Sequence, residues 1–309
     1  MTNQSAAKNS FSGILMLTLC SFIWGTAFIA QSVGGQYVEP LTFNWARSVL
    51  ATVFLFGCCF ITDKLKGRAF SIWGNDDPIY RDRLLKGGVV CGIALSIATY
   101  MQQLGIMYTT VGKSGFITAL YIVLVQLLSF IFLRRSVSLL QGISVAIAAI
   151  GMYYICISED FSINKGDLYT LVCAFCFAGQ IICIENIIKN LDGVRLSFIQ
   201  FATCTVFNGI LMLVFESPSI SALVQCGAAV AYAGVMSSGV AYTLQILGQK
   251  HVSSVLACMI MSLESAFALL SGWLLLGQAM STREIFGCGL VFAAILLAQV
   301  PEDFFTKAK

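Results

Sequence analysis

Two charged side chains lie inside long apolar runs, and both have the chemistry to bind an ion or a charged solute. Glu264 is the single charge between Val252 and Thr282, near the middle of MIMSLESAFALLSGWLLLGQAM (259–280). A carboxylate at the centre of a bilayer costs about 2.5–3.5 kcal/mol on insertion scales, so it persists only beside a partner or a water-filled cavity. Glu264 is therefore a candidate for a proton or cation site, for binding a substrate amine, or for a structural hydrogen bond between helices.

Arg47 is the second such side chain, about a third of the way into its apolar run. Its guanidinium could bind a substrate carboxylate through two parallel hydrogen bonds. It could also pair with Glu264, or pack its stem between helices while the charged end reaches toward the interface. We predict a gating or coupling role for Arg47 and Glu264, with structural packing as the alternative for each.

The composition predicts that these charges lie in a membrane. Hydrophobic residues make up 58% of the 309 residues, charged residues only 11%, and mean hydropathy is +0.86. Soluble domains carry about 25% charged residues, so this chain cannot cover a water-facing surface. The net charge of +3 gives no sign of nucleic-acid binding. We expect the lipid bilayer as partner.

Ten apolar segments are long enough to cross a bilayer as helices. We therefore predict an all-α polytopic protein. The segments are 13–33, 41–61, 87–107, 112–133, 139–157, 167–187, 196–215, 222–247, 252–276 and 284–300.

The distribution of Lys and Arg predicts the orientation of the chain. Most of the 18 basic residues fall in loops that share a side with the N-terminus, and only Lys113, Lys165 and Arg283 fall in the others. The basic side faces the cytoplasm. We therefore predict a cytoplasmic N-terminal tail over 1–12 and a cytoplasmic C-terminal tail over 301–309, in a multi-pass protein of the cell membrane.

An internal repeat divides the remaining chain into two halves. RRSVSLLQGISVAIAAIGMYYI (134–155) aligns with GQAMSTREIFGCGLVFAAILLA (277–298), and the spans before them, 116–133 and 259–276, align at the same offset. Two halves of five helices each, 13–157 and 158–300, must lie in the membrane with opposite orientation. Inverted repeats are typical of alternating-access transporters, with a binding site near the midplane between the repeats.

Local motifs give the chain a family resemblance. They are CSFIWGTAFIAQ (20–31), EPLTFNWARSVLA (39–51), ATYMQQLGIMYTTVGKSGFITALYIVLV (98–125), KGDLYTLVCAFCFAGQ (165–180) and LESAFALLSGWLLLGQ (263–278). Together they resemble the drug/metabolite transporter superfamily, in its branch of EamA-like ten-helix transporters. The family commonly has proline where this chain has Gln126 and Ser265, so the proline that would kink each helix is absent at both points.

This resemblance implies a secondary active transporter with a central cavity lined by both halves. The expected substrates are small solutes, such as amino acids, metabolites or drug-like compounds, and export is the expected direction. Protons are one candidate for the coupling ion, and no cofactor or metal is expected. The resemblance also guides our choice of substrate-binding candidates, which are Trp24, Tyr100, Gln103, Tyr121, Gln180, Tyr242, Gln245 and Glu264.

Two other functions are alternatives. An intramembrane enzyme would need a catalytic set, yet the single histidine, His251, lies at a predicted helix end and no Asp lies deep in a span. We therefore do not expect an enzyme. A membrane scaffold without transport is the other alternative, since amides within spans can simply bridge helices for about 0.6 kcal/mol each. Oligomeric state does not follow from the sequence.

Overall fold

The computed structural model describes residues 2–108, 111–134, 138–156, 165–276 and 281–298, and helices dominate these ranges. Within a bilayer, backbone N–H and C=O groups have no water to bind, so apolar segments satisfy them internally as helices. Six helices are long and apolar enough to cross a membrane, and four shorter apolar helices accompany them. These numbers confirm the predicted ten-segment, all-α membrane protein.

The first half contains five spans, of which the fourth is broken. Its helices are α1 (Thr2–Gly34), α2 (Pro40–Leu65), α3 (Pro78–Tyr108), α4 (Val111–Ala119), α5 (Tyr121–Leu133) and α6 (Leu139–Cys156). Helix α1 begins well inside the predicted N-terminal tail, and α3 begins ahead of its predicted span, so polar residues extend both helices beyond the apolar core.

The second half repeats this order, with breaks in its eighth and ninth spans. Its helices are α7 (Lys165–Ile187), α8 (Gly193–Phe215), α9 (Ile220–Gln225), α10 (Gly227–Ala231), α11 (Tyr242–Gln249), α12 (Ser254–Met261), α13 (Leu263–Leu276) and α14 (Thr282–Ala298). A 3-10 turn, Ile188–Asn190, follows α7, and a π-helical stretch, Tyr232–Ala241, joins α10 to α11.

The helices pack as two inverted repeats. Helix α3 of the first half packs extensively on α7, and α1 packs in the corresponding way on α11 and the π-helical stretch. The symmetry-related pairs α2 with α8, and α6 with α14, also pack extensively on each other. A two-fold axis in the membrane plane requires this pattern. The midplane between the halves is therefore the place where a shared cavity can form.

Helices α2 and α8 are joined at the end of the bundle predicted to face outward and again midway. Pro40 opens α2, and the Glu216 carboxylate after α8 accepts hydrogen bonds from the backbone N–H groups of Leu41 at 2.8 Å and Thr42 at 2.7 Å. A carboxylate in this position caps the helix and complements its dipole. Midway, the hydroxyls of Thr52 and Thr205 lie 3.0 Å apart.

The opposite end of the α2–α8 pair holds a buried ion-pair cluster around Arg195. Its Nη2 lies 2.6 Å from Asp63 Oδ2 and its Nη1 lies 2.8 Å from Asp192 Oδ2, while Nε and Nη2 donate to the Ser71 carbonyl. Gly74, with φ of +70°, lies against the guanidinium, and a Cβ there would be 2.3 Å from Nε. The Arg195 cluster thus fastens the α2–α3 loop to α8.

Candidate central cavity

A narrow cavity lies between the two halves and is lined by both. Its volume is about 30 Å³, room for about two water molecules. A solute of amino-acid size does not fit in this space, so the surrounding helices must separate to admit one. The lining residues are Trp24, Phe28, Gln31, Arg47, Gln102, Thr118, Tyr121, Phe177, Ile181, Ser237, Tyr242, Gln245, Met261 and Glu264.

Two helix breaks bring symmetry-related residues to this cavity. The fourth span breaks at Leu120, directly before Tyr121, and the ninth breaks at Ser262, two residues before Glu264. The repeat alignment pairs Tyr121 with Glu264. At the second break the Ser262 hydroxyl donates to the Met259 carbonyl at 2.7 Å. This hydroxyl competes for the carbonyl with the backbone N–H group that would bind it in a regular helix. Glu264 then lies in the first turn of α13, where the helix dipole favours a carboxylate.

The two charges on the cavity are buried but do not pair with each other. Arg47 is 3% exposed and Glu264 is 5% exposed. Across the described residues, Arg47 makes no hydrogen bond or salt bridge, and Glu264 makes no salt bridge. The Tyr121 hydroxyl lies close to the Glu264 carboxylate without the geometry of a hydrogen bond. A guanidinium and a carboxyl group therefore face one narrow space, each open to a further partner.

Helix α1 approaches α13 closely next to Glu264. A Cβ at Gly25 would lie 2.8 Å from the Glu264 carbonyl and 2.6 Å from Phe267 Cβ, closer than real Cβ atoms come. Only glycine leaves room for this contact. The motif around Trp24 and Gly25 thus brings the first helix of one half against the carboxylate-bearing helix of the other.

Aromatic rings form the wall beside this contact. The Trp24 indole N–H donates to the Ser237 carbonyl at 3.3 Å, within the π-helical stretch, and its ring centroid lies 4.7 Å from that of Tyr242. Tyr242 in turn meets Phe201 edge to face at 5.4 Å. π-Helical turns frequently occur at functional sites. Here the turn supplies the carbonyl that fixes Trp24 on the cavity.

Three buried glutamines form a hydrogen-bonded chain that ends at the cavity. Gln245 Nε2 donates to Gln180 Oε1 at 3.3 Å, and Gln180 Nε2 donates to Gln200 Oε1 at 3.1 Å. Gln180 and Gln200 are fully buried, and Gln245 lines the cavity. The free ends are Gln245 Oε1 and Gln200 Nε2, which lack a hydrogen-bond partner within the described residues. This amide chain links α11, α7 and α8.

The structure brings six of the predicted site residues to the cavity. These are Trp24, Arg47, Tyr121, Tyr242, Gln245 and Glu264.

The other three predicted residues lie elsewhere. Gln180 lies behind Gln245 in the amide chain. Gln103 turns toward α1, where its Nε2 donates to the Gln31 carbonyl at 3.2 Å, and Tyr100 is half-buried away from the cavity. In α3 the neighbouring Gln102 lines the cavity instead. The sequence does not determine how α3 is rotated about its own axis. It therefore could not predict that Gln102, and not Gln103, faces the cavity.

Sequence reasoning also missed apolar and small polar lining residues. Some carried a signal: Phe28 and Gln31 follow Trp24 at i+4 and i+7, which places all three on one face of α1. Thr118 lies one turn before Tyr121. The remaining ones, Phe177, Ile181, Ser237 and Met261, have no chemical feature that distinguishes them from core residues.

Comparison with known proteins agrees with this architecture. Ten apolar helical segments around a shared cavity are an architecture that polytopic membrane transporters have. A model of the EamA-like transporter family matches residues 11–157 and 164–299. The chain therefore belongs to the EamA-like transporter family.

Two relatives and one solved structure illustrate the similarity. An uncharacterized transporter of Archaeoglobus fulgidus is 27% identical over 93% of this chain and 85% of its own length. The uncharacterized transporter YoaV of Bacillus subtilis (strain 168) is 23% identical over 92% of this chain and 94% of its own. A crystal structure at 16% identity superposes with a TM-score of 0.73, covering 96% of this chain and 97% of that one. This last similarity supports the fold alone.

Proposed function

We propose that this transporter is a secondary active carrier that exports a small solute by alternating access around the central cavity. The solute is an amino acid or a similar metabolite or drug-like compound. The observation that carries the proposal is that two buried groups, the Arg47 guanidinium and the Glu264 carboxyl, line one cavity and form no salt bridge with each other. A solute with both a carboxylate and an amine satisfies both charges at once, the carboxylate at Arg47 and the amine at Glu264.

The inverted halves supply the movement. Because the cavity holds only about two waters, a solute can enter or leave it only when the two halves separate. Inverted repeats achieve this when one half rocks against the other around a fixed midplane site. We place this bending at the one-residue interruptions Leu120 and Ser262. Both residues keep right-handed helical dihedrals, but tighter i→i−3 backbone bonds occur there, from Leu120 N–H to the Ile117 carbonyl and from Ser265 N–H to the Ser262 carbonyl.

A proton is the coupling ion that we favour, with Glu264 as its binding group. A neutral Glu264 would cost less in the empty cavity, whereas a charged Glu264 would bind the amine. Solute and proton would then compete for one carboxylate. This exchange of a proton for a solute would drive export across a cell membrane in which both termini face the cytoplasm.

Counterflow in proteoliposomes tests the proposal. Vesicles preloaded with the standard L-amino acids or small metabolites are compared for wild type, Glu264→Gln and the exposed-carboxylate control Glu39→Gln, at two pH values. We expect saturable exchange of one class of solute in wild type and in Glu39→Gln, and exchange that is lost or no longer depends on pH in Glu264→Gln. Folded wild-type protein without exchange of any solute would favour the scaffold alternative. Unchanged exchange in Glu264→Gln would assign the carboxylate a structural role.

A further inference from the structure

We propose that Gln180, which does not reach the cavity, is a positioning residue for an amine subsite. The subsite consists of the Glu264 carboxylate, Gln245 Oε1, and the rings of Trp24 and Tyr242. This inference rests on the proposed transport function and adds to it the groups that recognise the solute's ammonium end.

In the structure the amide chain leaves the side-chain oxygen of Gln245 without a partner. A glutamine amide presents either an oxygen, which accepts hydrogen bonds, or an NH₂ group, which donates them. In the structure Gln245 Nε2 is bound to Gln180 Oε1, and Gln180 is held in turn by Gln200. The atom left without a partner is Gln245 Oε1. An ammonium group has three donors and no acceptor, so this oxygen suits it and the NH₂ group would not.

The neighbours of Gln245 on the cavity favour the same ligand. Gln245 and Glu264 both line a space of about 30 Å³, which holds about two waters, and we place a small cationic group between them. The paired rings of Trp24 and Tyr242 lie on the same cavity, and aromatic faces attract ammonium groups.

The single cation among the lining residues is Arg47, on α2. Arg47 would repel an ammonium group and bind a carboxylate, so it marks the other pole of the site. The titratable side chains that face the cavity with Glu264 are Tyr121 and Tyr242. Neither carries a positive charge, so the amine pole contains no cation of its own.

Competition experiments test the amine-binding end and the carboxylate-binding end of the site independently. Isoamylamine carries an amine without a carboxylate, and 4-methylvalerate carries a carboxylate without an amine. Each is titrated against counterflow of the labelled amino acid that wild type exchanges fastest. The variants are Gln180→Met, Gln245→Met and their combination. Gln249→Met is the matched control, because Gln249 is also buried, makes one interhelical hydrogen bond and does not line the cavity.

We expect the isoamylamine concentration that halves exchange to rise about tenfold in Gln180→Met, since a hydrogen bond to a charged group contributes roughly that factor. Gln245→Met should show a similar rise, and the double variant should show no further rise, because both changes remove one oriented acceptor. Inhibition by 4-methylvalerate should not change. Gln249→Met should leave inhibition by both competitors unchanged.

Other outcomes overturn the inference without touching the proposed function. Equal shifts for both competitors in Gln180→Met would show general loosening of the bundle, and additive effects in the double variant would show that the two glutamines act separately. Failure of isoamylamine to compete in wild type would exclude the amine subsite. Absence of any exchange by wild type would instead reject the transport function on which the inference rests.

Discussion

Two buried arginines occupy opposite situations in this protein. Arg195 is 1% exposed and is surrounded by two carboxylates and a carbonyl. Arg47 is 3% exposed and, among the described residues, has no hydrogen bond or salt bridge. Both side chains are shielded from solvent, and their partners differ. In a membrane protein the supply of partners distinguishes a charge that holds the fold together from one that is kept available for a ligand.

The physical basis of this contrast is the cost of removing a charge from water. A buried ion pair is tolerated only when further hydrogen bonds satisfy both groups, and its removal on one side leaves an uncompensated charge. The Arg195 cluster meets this condition within the protein. Arg47 and Glu264 do not, so their cost must be offset by water, a proton or a solute in the cavity. A ligand that binds Arg47 and Glu264 supplies the partners that these two groups lack within the protein, and its binding is favoured for that reason.

Removal of one carboxylate from the Arg195 cluster should have the largest effect on stability. Asp63→Ala leaves Arg195 without its 2.6 Å partner and Ser71 N–H without its acceptor. We expect the free energy of unfolding, measured by SDS titration in detergent micelles, to fall by about 1.5–3 kcal/mol, because Arg195 keeps Asp192 and the Ser71 carbonyl as partners. A loss below about 1 kcal/mol, as for an exposed ion pair, would contradict the contrast between the two arginines.

Arg47 should respond in the opposite way, with a large effect on transport and a small one on stability. Arg47→Met removes a charge that has no partner within the described residues, so the free energy of unfolding should stay equal or rise. Exchange of amino acids should fall about tenfold to a hundredfold, because bidentate binding of a carboxylate is lost. Counterflow and SDS titration on the same preparation check both parts.

Arg47→Lys serves as the control for charge. It keeps the positive charge without the planar, two-point geometry, so an intermediate rate is expected. A large loss of stability in Arg47→Met, with exchange reduced only in proportion to folded protein, would instead place Arg47 with Arg195 as a structural charge.

The sequence only partly distinguishes charges that stabilise the fold from charges that are available to a ligand. Glu264 and Arg47 are recognisable because they interrupt apolar runs. Arg195 and Asp63 lie where predicted spans meet loops, so Arg195 counted only as a basic residue of the cytoplasmic side. What joins them is the packing of α2 against α8, together with the α2–α3 loop whose Gly74 lies on the guanidinium. No local pattern encodes that contact.

The helix breaks are a second feature that the sequence predicted only in part. The repeat alignment pairs Tyr121 with Glu264, and the structure places both at breaks on one cavity. The breaks themselves were not predicted, because this chain lacks proline at Gln126 and Ser265, where the family commonly has it. The structure shows that a serine hydroxyl bonded back to its own helix, as at Ser262, accompanies a break without proline. Ten apolar segments were predictable from hydropathy; their rotation and bends depend on tertiary packing.

The smallest effect is expected at an ion pair that is exposed. Asp82 and Lys86 lie 2.9 Å apart at i and i+4 on α3, with side chains 56% and 74% exposed. Although the acidic residue precedes the basic one, which is the favourable order on a helix, water screens both charges. Asp82→Asn should lower the free energy of unfolding by no more than about 0.5 kcal/mol.

Salt then distinguishes this pair from the Arg195 cluster. At about 1 M salt the screening length falls to about 3 Å, so the remaining effect of Asp82→Asn should vanish. The effect of Asp63→Ala should persist, because the Arg195 and Asp63 side chains are only 1% and 2% exposed. If both effects vanished together, solvent would have access to Arg195, and the number of partners would no longer explain why one arginine stabilises the fold while the other stays available to a ligand.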